Sequence, residues 1–150
     1  MTDAHDQRLT LHIIEHVQAH EPREDDPHYH LFNEAKARLK KLGLMTCALD
    51  DDYCDRTRPA ELHHEHVPFA QQNASDYHKV NAALGQHIAS DEEFAEWIEK
   101  PGNLEVLCVN HHRTHFGVHV LPAALWEPLR YLRSGVQPGA EFVPAKDWKP

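Results

Sequence analysis

The feature that most restricts how this chain can fold is the placing of its three cysteines. Cys47 and Cys54 bracket six residues, and Cys108 follows far downstream, three positions before His111. Two thiols in one loop, with a thiol and an imidazole in another, make a Cys3His set. That is the donor combination of a closed, tetrahedral zinc site of the structural kind. The first gap is wider than the two to four residues usual in such sites. An odd cysteine count argues against a disulfide framework, and in a reducing compartment such residues read as thiols or metal ligands. One cysteine alone is as readily an ordinary buried thiol; three beside histidine-bearing segments favour ligation.

Histidine is also over-represented, with fifteen in 150 residues. Seven fall in two short clusters, His63, His64 and His66, then His111, His112, His115 and His119. Six more are scattered through the first 30 residues, in a polar stretch that needs no special account. Imidazole is the commonest protein metal ligand, so the clusters do need one. With His111 assigned to the cysteines, a second set remains. His63 and His64 are adjacent, so on a strand one faces each side. His112 and His115 are three apart, neighbours on one helical face. One imidazole can then hold a cation while another takes a proton from water. Hydrolysis of a phosphodiester needs both, a base that titrates near neutrality and a cation that offsets charge on the phosphorane and the departing oxygen.

The formal net charge of −9 is unusual for a protein that handles nucleic acid, which commonly presents a basic face. The excess is uneven: residues 1–103 hold twenty acidic against ten basic side chains, and residues 104–150 hold four against five. Screening over about 10 Å lets a remote acidic segment coexist with binding.

Leu9, Ile13, Ile14 and Val17 predict a helix within residues 3–18. After the polar stretch EPREDDP, Asp26 and Pro27 open a second amphipathic helix that carries Leu31, Phe32, Ala35, Leu39 and Leu42 and stops at Gly43. LMTCAL (44–49) predicts a short strand and ELHHEHVPF (61–69) another, with Leu62, His64 and His66 on one face and Glu61, His63 and Glu65 on the other. Residues 70–102 read as a mostly helical insertion; its last helix opens with the capping box Ser90-x-x-Glu93 and ends at Pro101-Gly102. NLEVLCV predicts a strand, a histidine-rich helix follows at 110–116, and Ala123 to Leu132 form a last helix before a proline-bearing tail. The class is α+β with little sheet.

AELHHEHVPF, followed by NLEVLCVNHHRTHFGVH, resembles the two halves of the HNH endonuclease motif. The family's first half is an apolar strand ending in Asp-His or His-His. Its second runs Asn-Leu, three residues, then Cys-x-x-Cys-His. Here Asn103-Leu104, Cys108, His111 and His112 stand at those offsets, with histidine in place of the second cysteine. The resemblance covers roughly residues 47–119. It implies a ββα-metal core over 46–120 with the helical insertion 70–102 between the motif halves. Two N-terminal helices in 1–45 would precede this core, and a C-terminal helix and tail (121–150) would follow it. It further implies that His64 is the general base, that Asn103 braces the loop orienting it, and that His63 and His112 hold a catalytic divalent ion. Cys47, Cys54, Cys108 and His111 would bind structural zinc. The family's further metal histidine commonly lies four residues beyond the position of His112; Phe116 stands there, and His115 is the nearest substitute. The proline after the histidine pair comes one place late, and the interval from His64 to Asn103 is longer than usual and lacks Gly-Gly. His66 rivals His64 as the base, and His119 could be a late metal ligand or a contact supporting one, although a solvated polar residue is the default reading.

The expectation is hydrolytic cleavage of DNA with a single catalytic cation, magnesium, manganese or zinc, leaving 5′-phosphate and 3′-hydroxyl ends. Arg113, Arg130 and Arg133 are the expected contacts to the DNA backbone, and Arg56 and Arg58 could play the same part. The rivals are a catalytically inactive zinc-binding module of the same fold, acting in nucleic-acid or protein binding, and histidine-rich metal storage or sensing. No apolar run approaches the ~20 residues of a membrane-spanning helix. The N-terminus lacks the basic start and apolar stretch of a signal peptide. The expected setting is therefore cytoplasmic, in a bacterial cell or phage-infected host by resemblance, with no membrane partner and room for a protein partner or homodimer.

Overall fold

The computed structural model describes residues 19–114, 117–131 and 133. The helix predicted within 3–18, His115 and the tail from residue 134 lie outside them.

A short 3-10 turn, Arg23–Asp25, leads into helix α1, Tyr29–Lys41. The helix starts two residues later than expected, with His28 rather than Asp26 at the cap position; Asp26 accepts from the His28 amide at 2.7 Å just ahead of it. At the other end Gly43 takes φ +69°, the left-handed conformation that glycine adopts without strain. The Leu44 amide then reaches Leu39 O and the Gly43 amide reaches Lys40 O, the paired bonds of a Schellman cap.

Strands β1 (Glu61–His64) and β2 (Leu104–Leu107) pair antiparallel, with His63 opposite Glu105 and His64 opposite Leu104. Between them come a 3-10 segment, Phe69–Ala74, and helices α2 (Tyr77–Leu84) and α3 (Asp91–Ile98). Helix α4 (Val109–Arg113) follows β2 directly, and α5 (Ala123–Trp126) runs into a final 3-10 turn, Glu127–Tyr131. Mixed helix with one small antiparallel sheet makes the class α+β. No helix among the described residues is long and apolar enough to cross a membrane.

A two-stranded ribbon is marginal in water unless something covers it. Here both faces are covered. Leu62 and Val106 pack against Phe32 and Ala35 of α1. Leu107, on the opposite face, packs with Cys47, Cys108 and Trp126. The segment between the strands builds its own cluster from Ile88, Phe94, Trp97 and Ile98, joined by Val67. Helix α3 starts at its expected cap: Ser90 Oγ accepts from the Glu93 amide at 3.1 Å, while the Glu93 carboxylate accepts from the amide of Ala89, one residue before the cap, at 2.8 Å.

Three other expected elements differ. The 44–49 stretch is not a strand; one bond, Ala48 N to Val106 O, ties it beside β2. β1 ends at His64, because the amides of His66 and Val67 donate to the Asn103 side chain instead of to a strand. His66 therefore does not share a strand face with His64. The last helix is α-helical only to Trp126, and Pro128 has no amide hydrogen with which to continue the ladder.

Candidate metal centres

Cys47, Cys54, Cys108 and His111 converge into one cluster that could hold a metal ion such as zinc. His111 Nδ1 lies 3.5 Å from Cys47 Sγ, 3.7 Å from Cys54 Sγ and 3.3 Å from Cys108 Sγ. Sulfur and nitrogen on one tetrahedral zinc, at ordinary bond lengths, stand roughly 3.5 Å apart. The donor set and its spacing fit that ion. Local structure explains the convergence: Cys108 follows β2 at the cap position of α4, and His111 comes three residues later within that helix. The loop bearing Cys54 is fastened to α4 by Asn110 Nδ2 donating to Tyr53 O at 2.9 Å. His111 Nε2, on the far side of the ring, lies 3.3 Å from Asp51 Oδ1, which sets the ring with Nδ1 toward the thiols. Burial, reinforced by the neighbouring thiols, pushes Cys54 up to about 12. Burial also lowers His111 below the ordinary histidine range, so its ring is neutral at pH 7.

A second cluster joins His63, His112 and His119. The ring centroids are 4.8 to 5.1 Å apart, and His112 Nε2 lies 3.1 Å from His119 Nε2. Two nitrogens on one ion at ordinary metal–imidazole bond lengths stand roughly 3.0 to 3.4 Å apart, so this set also fits a cation. His112 Nδ1 lies 2.7 Å from Glu61 Oε2, which turns Nε2 toward the cluster. Burial, together with His119 and His112, pushes His63 down to about 3, leaving a neutral ring with a lone pair to offer. His119 is lowered by burial as well.

His119, whose default reading is a solvated residue, is instead the late ligand candidate of this cluster. It arrives because the chain folds back over α4: the Val118 amide reaches His111 O at 2.9 Å, and the His119 amide reaches His112 O at 3.4 Å. Gly117 permits the crossing, since a Cβ there would sit 2.6 Å from the His112 carbonyl. A glycine two residues before a histidine was the available signal. His115 lies outside the described residues.

His64 faces away from this cluster, toward α1. Its ring stacks on Phe32 with centroids 5.6 Å apart, and its Nε2 lies 3.4 Å from Glu99 Oε2. Glu99 is only 1% exposed. Arg23 donates to it from Nη2 at 3.0 Å and from Nε at 3.4 Å, while its guanidinium lies over the Phe32 ring at 4.0 Å. Burial alone would raise the Glu99 carboxyl, but His64 and Arg23 together hold it below the usual carboxylate range. Neither Arg23 nor Glu99 was singled out from the sequence.

Asn103 is wholly buried between these sites. Its Oδ1 accepts from the amides of His66 (3.0 Å) and Val67 (2.9 Å), and its Nδ2 donates to Val67 O (2.8 Å) and Ile98 O (3.1 Å). It thus ties the loop after His64 to the end of α3. Replacing it with alanine would orphan several buried backbone groups, at about 1–3 kcal/mol for each left dry. Asn103→Ala should therefore lower the urea midpoint by an amount equivalent to roughly 3 kcal/mol with the slope unchanged.

The arginines divide. Arg130 is turned inward, with Nη2 at 2.6 and 2.7 Å from the two Glu105 carboxylate oxygens. It helps to line an acid-walled cleft of about 310 Å³ with Glu65, His66, Glu105 and Glu127. Arg113 is mostly exposed but hydrogen-bonded to Glu61, and Arg133 is exposed. Arg56 pairs with Asp50 and Arg58 with Asp55 at the surface. Compared with family models, with curated proteins and with solved structures, the chain finds no match in any of the three, so its own geometry carries the functional reading.

Proposed function

We propose that this chain is a metal-dependent endonuclease of the HNH, ββα-metal type, with His64 as general base and structural zinc at Cys47, Cys54, Cys108 and His111. The observation that carries the reading is the convergence of three imidazoles, His63, His112 and His119, with a fourth, His64, adjacent to His63 on β1 and turned to the other face of the ribbon. A structural zinc site has no use for either. A strand, β-ribbon partner and following helix supply the groups in the order that the HNH resemblance implies.

His63, His112 and His119 would hold the catalytic ion, with Glu61 keeping His112 oriented. A divalent cation there would offset charge on the departing 3′ oxygen. His64 would take the proton from the attacking water. Asn103 holds the loop that follows His64, so the base keeps its place relative to His63. Three imidazoles and no carboxylate among the donors suit manganese-to-zinc transition ions better than magnesium, which prefers oxygen ligands.

The test is plasmid nicking by protein carrying its structural zinc, supplied with magnesium, manganese, cobalt, nickel or zinc. Wild type should nick with a transition ion, and His64→Ala should lose about 10²- to 10⁴-fold in rate with its fold intact. A wild-type protein that binds its ions, stays folded and cuts nothing would instead be a non-catalytic zinc module. The acid-lined cleft and the inward Arg130 are the observations that favour that second reading.

A further inference from the structure

We propose that Glu99, backed by Arg23, is a positioning residue that orients the His64 ring and fixes it as its Nε2–H tautomer, leaving the lone pair on Nδ1. The inference rests on the reading of His64 as the base, but its structural half stands apart from any cleavage.

Glu99 sits just after α3, almost wholly buried, with Arg23 and His64, among the described residues, against its carboxylate. An ionised carboxylate accepts hydrogen bonds and donates none. The imidazole nitrogen facing it must therefore carry hydrogen. A neutral imidazole carries only one, so the lone pair falls on Nδ1. The aspartate of a Ser-His-Asp triad supports its histidine in the same way.

The ring is held on two sides. Phe32 lies against its face, and Arg23 covers Phe32 in turn. The Arg23–Glu99 pair spans 76 positions of sequence and joins the turn before α1 to the end of α3. A buried pair of this kind adds little stability over apolar residues of the same volume, since desolvation offsets the attraction. Stability alone gives no reason for placing it against a histidine edge. Glu99 also lies four residues before Asn103. One short segment thus supplies both the carboxylate against the ring and the amide that braces the loop beyond it, which gives the long insertion between the motif halves a task.

The test is long-range ¹H–¹⁵N correlation of histidine-labelled, zinc-loaded full chain, with His64 assigned from the spectrum of His64→Gln. Wild type should show His64 as Nε2–H. In folded Glu99→Gln the Nδ1–H form should appear, and any nicking activity should fall in kcat by at least about tenfold with KM held. A wild-type ring in the Nδ1–H form overturns the proposal, as does an unchanged tautomer in Glu99→Gln. Should Glu99→Gln fail to fold, Arg23→Lys supplies the second reading: it keeps the carboxylate and its positive partner and should keep the Nε2–H form. Loss of that form in folded Arg23→Lys would overturn the role of Glu99. A tautomer that shifts as expected in a protein that cuts no DNA supports the positioning and removes the nuclease reading, so the two can fail separately.

Discussion

Cys108→Ser, or removal of bound metal by a chelator, should leave this chain unfolded rather than merely weakened. Among the described residues three separate apolar clusters are buried, and one of them is built on Cys47 and Cys108 themselves. Structural zinc contributes on the order of 10–16 kcal/mol in small domains that fold around it. A whole domain of this size is stable by about 5–15 kcal/mol. Taking the ion away therefore removes as much free energy as the fold has to lose. An ion held there would also tie the 47–54 loop to the junction of β2 and α4, and the described residues show one backbone bond, Ala48 to Val106, joining 44–49 to the ribbon. Near-ultraviolet circular dichroism and the cooperative thermal transition should vanish on chelation and return with zinc. A cooperative transition that survives full chelation would rule out the structural ion.

The same site predicts a pH dependence with a definite sign. In the metal-free cluster Cys54 is held up to about 12, so it is protonated at neutral pH, whereas the ligand form is the thiolate. Binding the ion must expel at least that proton, and affinity should fall by at least about tenfold for each pH unit lowered through the neutral range. His111 is already neutral there and adds no proton to the release. Competition with a chromophoric chelator at several pH values measures the slope, and a flat profile would mean that the thiols do not ligate.

What could be read in advance followed how local the signal was. The body of helix α1, its glycine stop and the Ser90 cap are written in residues three or four apart, and they form as read. The Cys3His set was legible although Cys47 and His111 are 64 positions apart, because few chemistries bring those residue types together. Strand extents were not legible. Alternation ran on through His66, but Asn103 intercepts the amides that a strand would use. The Arg23–Glu99–His64 contacts carry no periodicity at all; each residue is an ordinary charge or ring until the fold joins them. Arg130 looked like a surface cation on a helix, and the buried Glu105 opposite His63 draws it inward.

His119→Ala should abolish the second metal site while sparing the first. It is the residue that local spacing hid, since helical periodicity pointed to 115 or 116 and the third imidazole instead comes seven residues after His112. With His119 gone, His63 and His112 remain as a two-donor site. Losing even a residue that only supports a ligand commonly weakens metal binding or activity by 10- to 100-fold, and losing a ligand itself should cost at least about a hundredfold. Calorimetric titration of zinc-repleted protein with manganese or cobalt should then show the second binding event lost, the Cys3His ion retained, and nicking reduced in proportion. Gly117→Ala should reproduce this without touching an imidazole, because its Cβ would collide with the His112 carbonyl and the fold-back that delivers His119 would have to shift. Exposed His78 on α2 serves as the control, and His78→Ala should leave both sites as they are. If His119→Ala bound the second ion as tightly as wild type, the three-imidazole site would be wrong, and the ligand would have to be sought among residues outside 117–131. If instead both His119→Ala and Gly117→Ala lost the ion and the nicking together, the turn after α4 would be as much a part of the active site as the histidine strand.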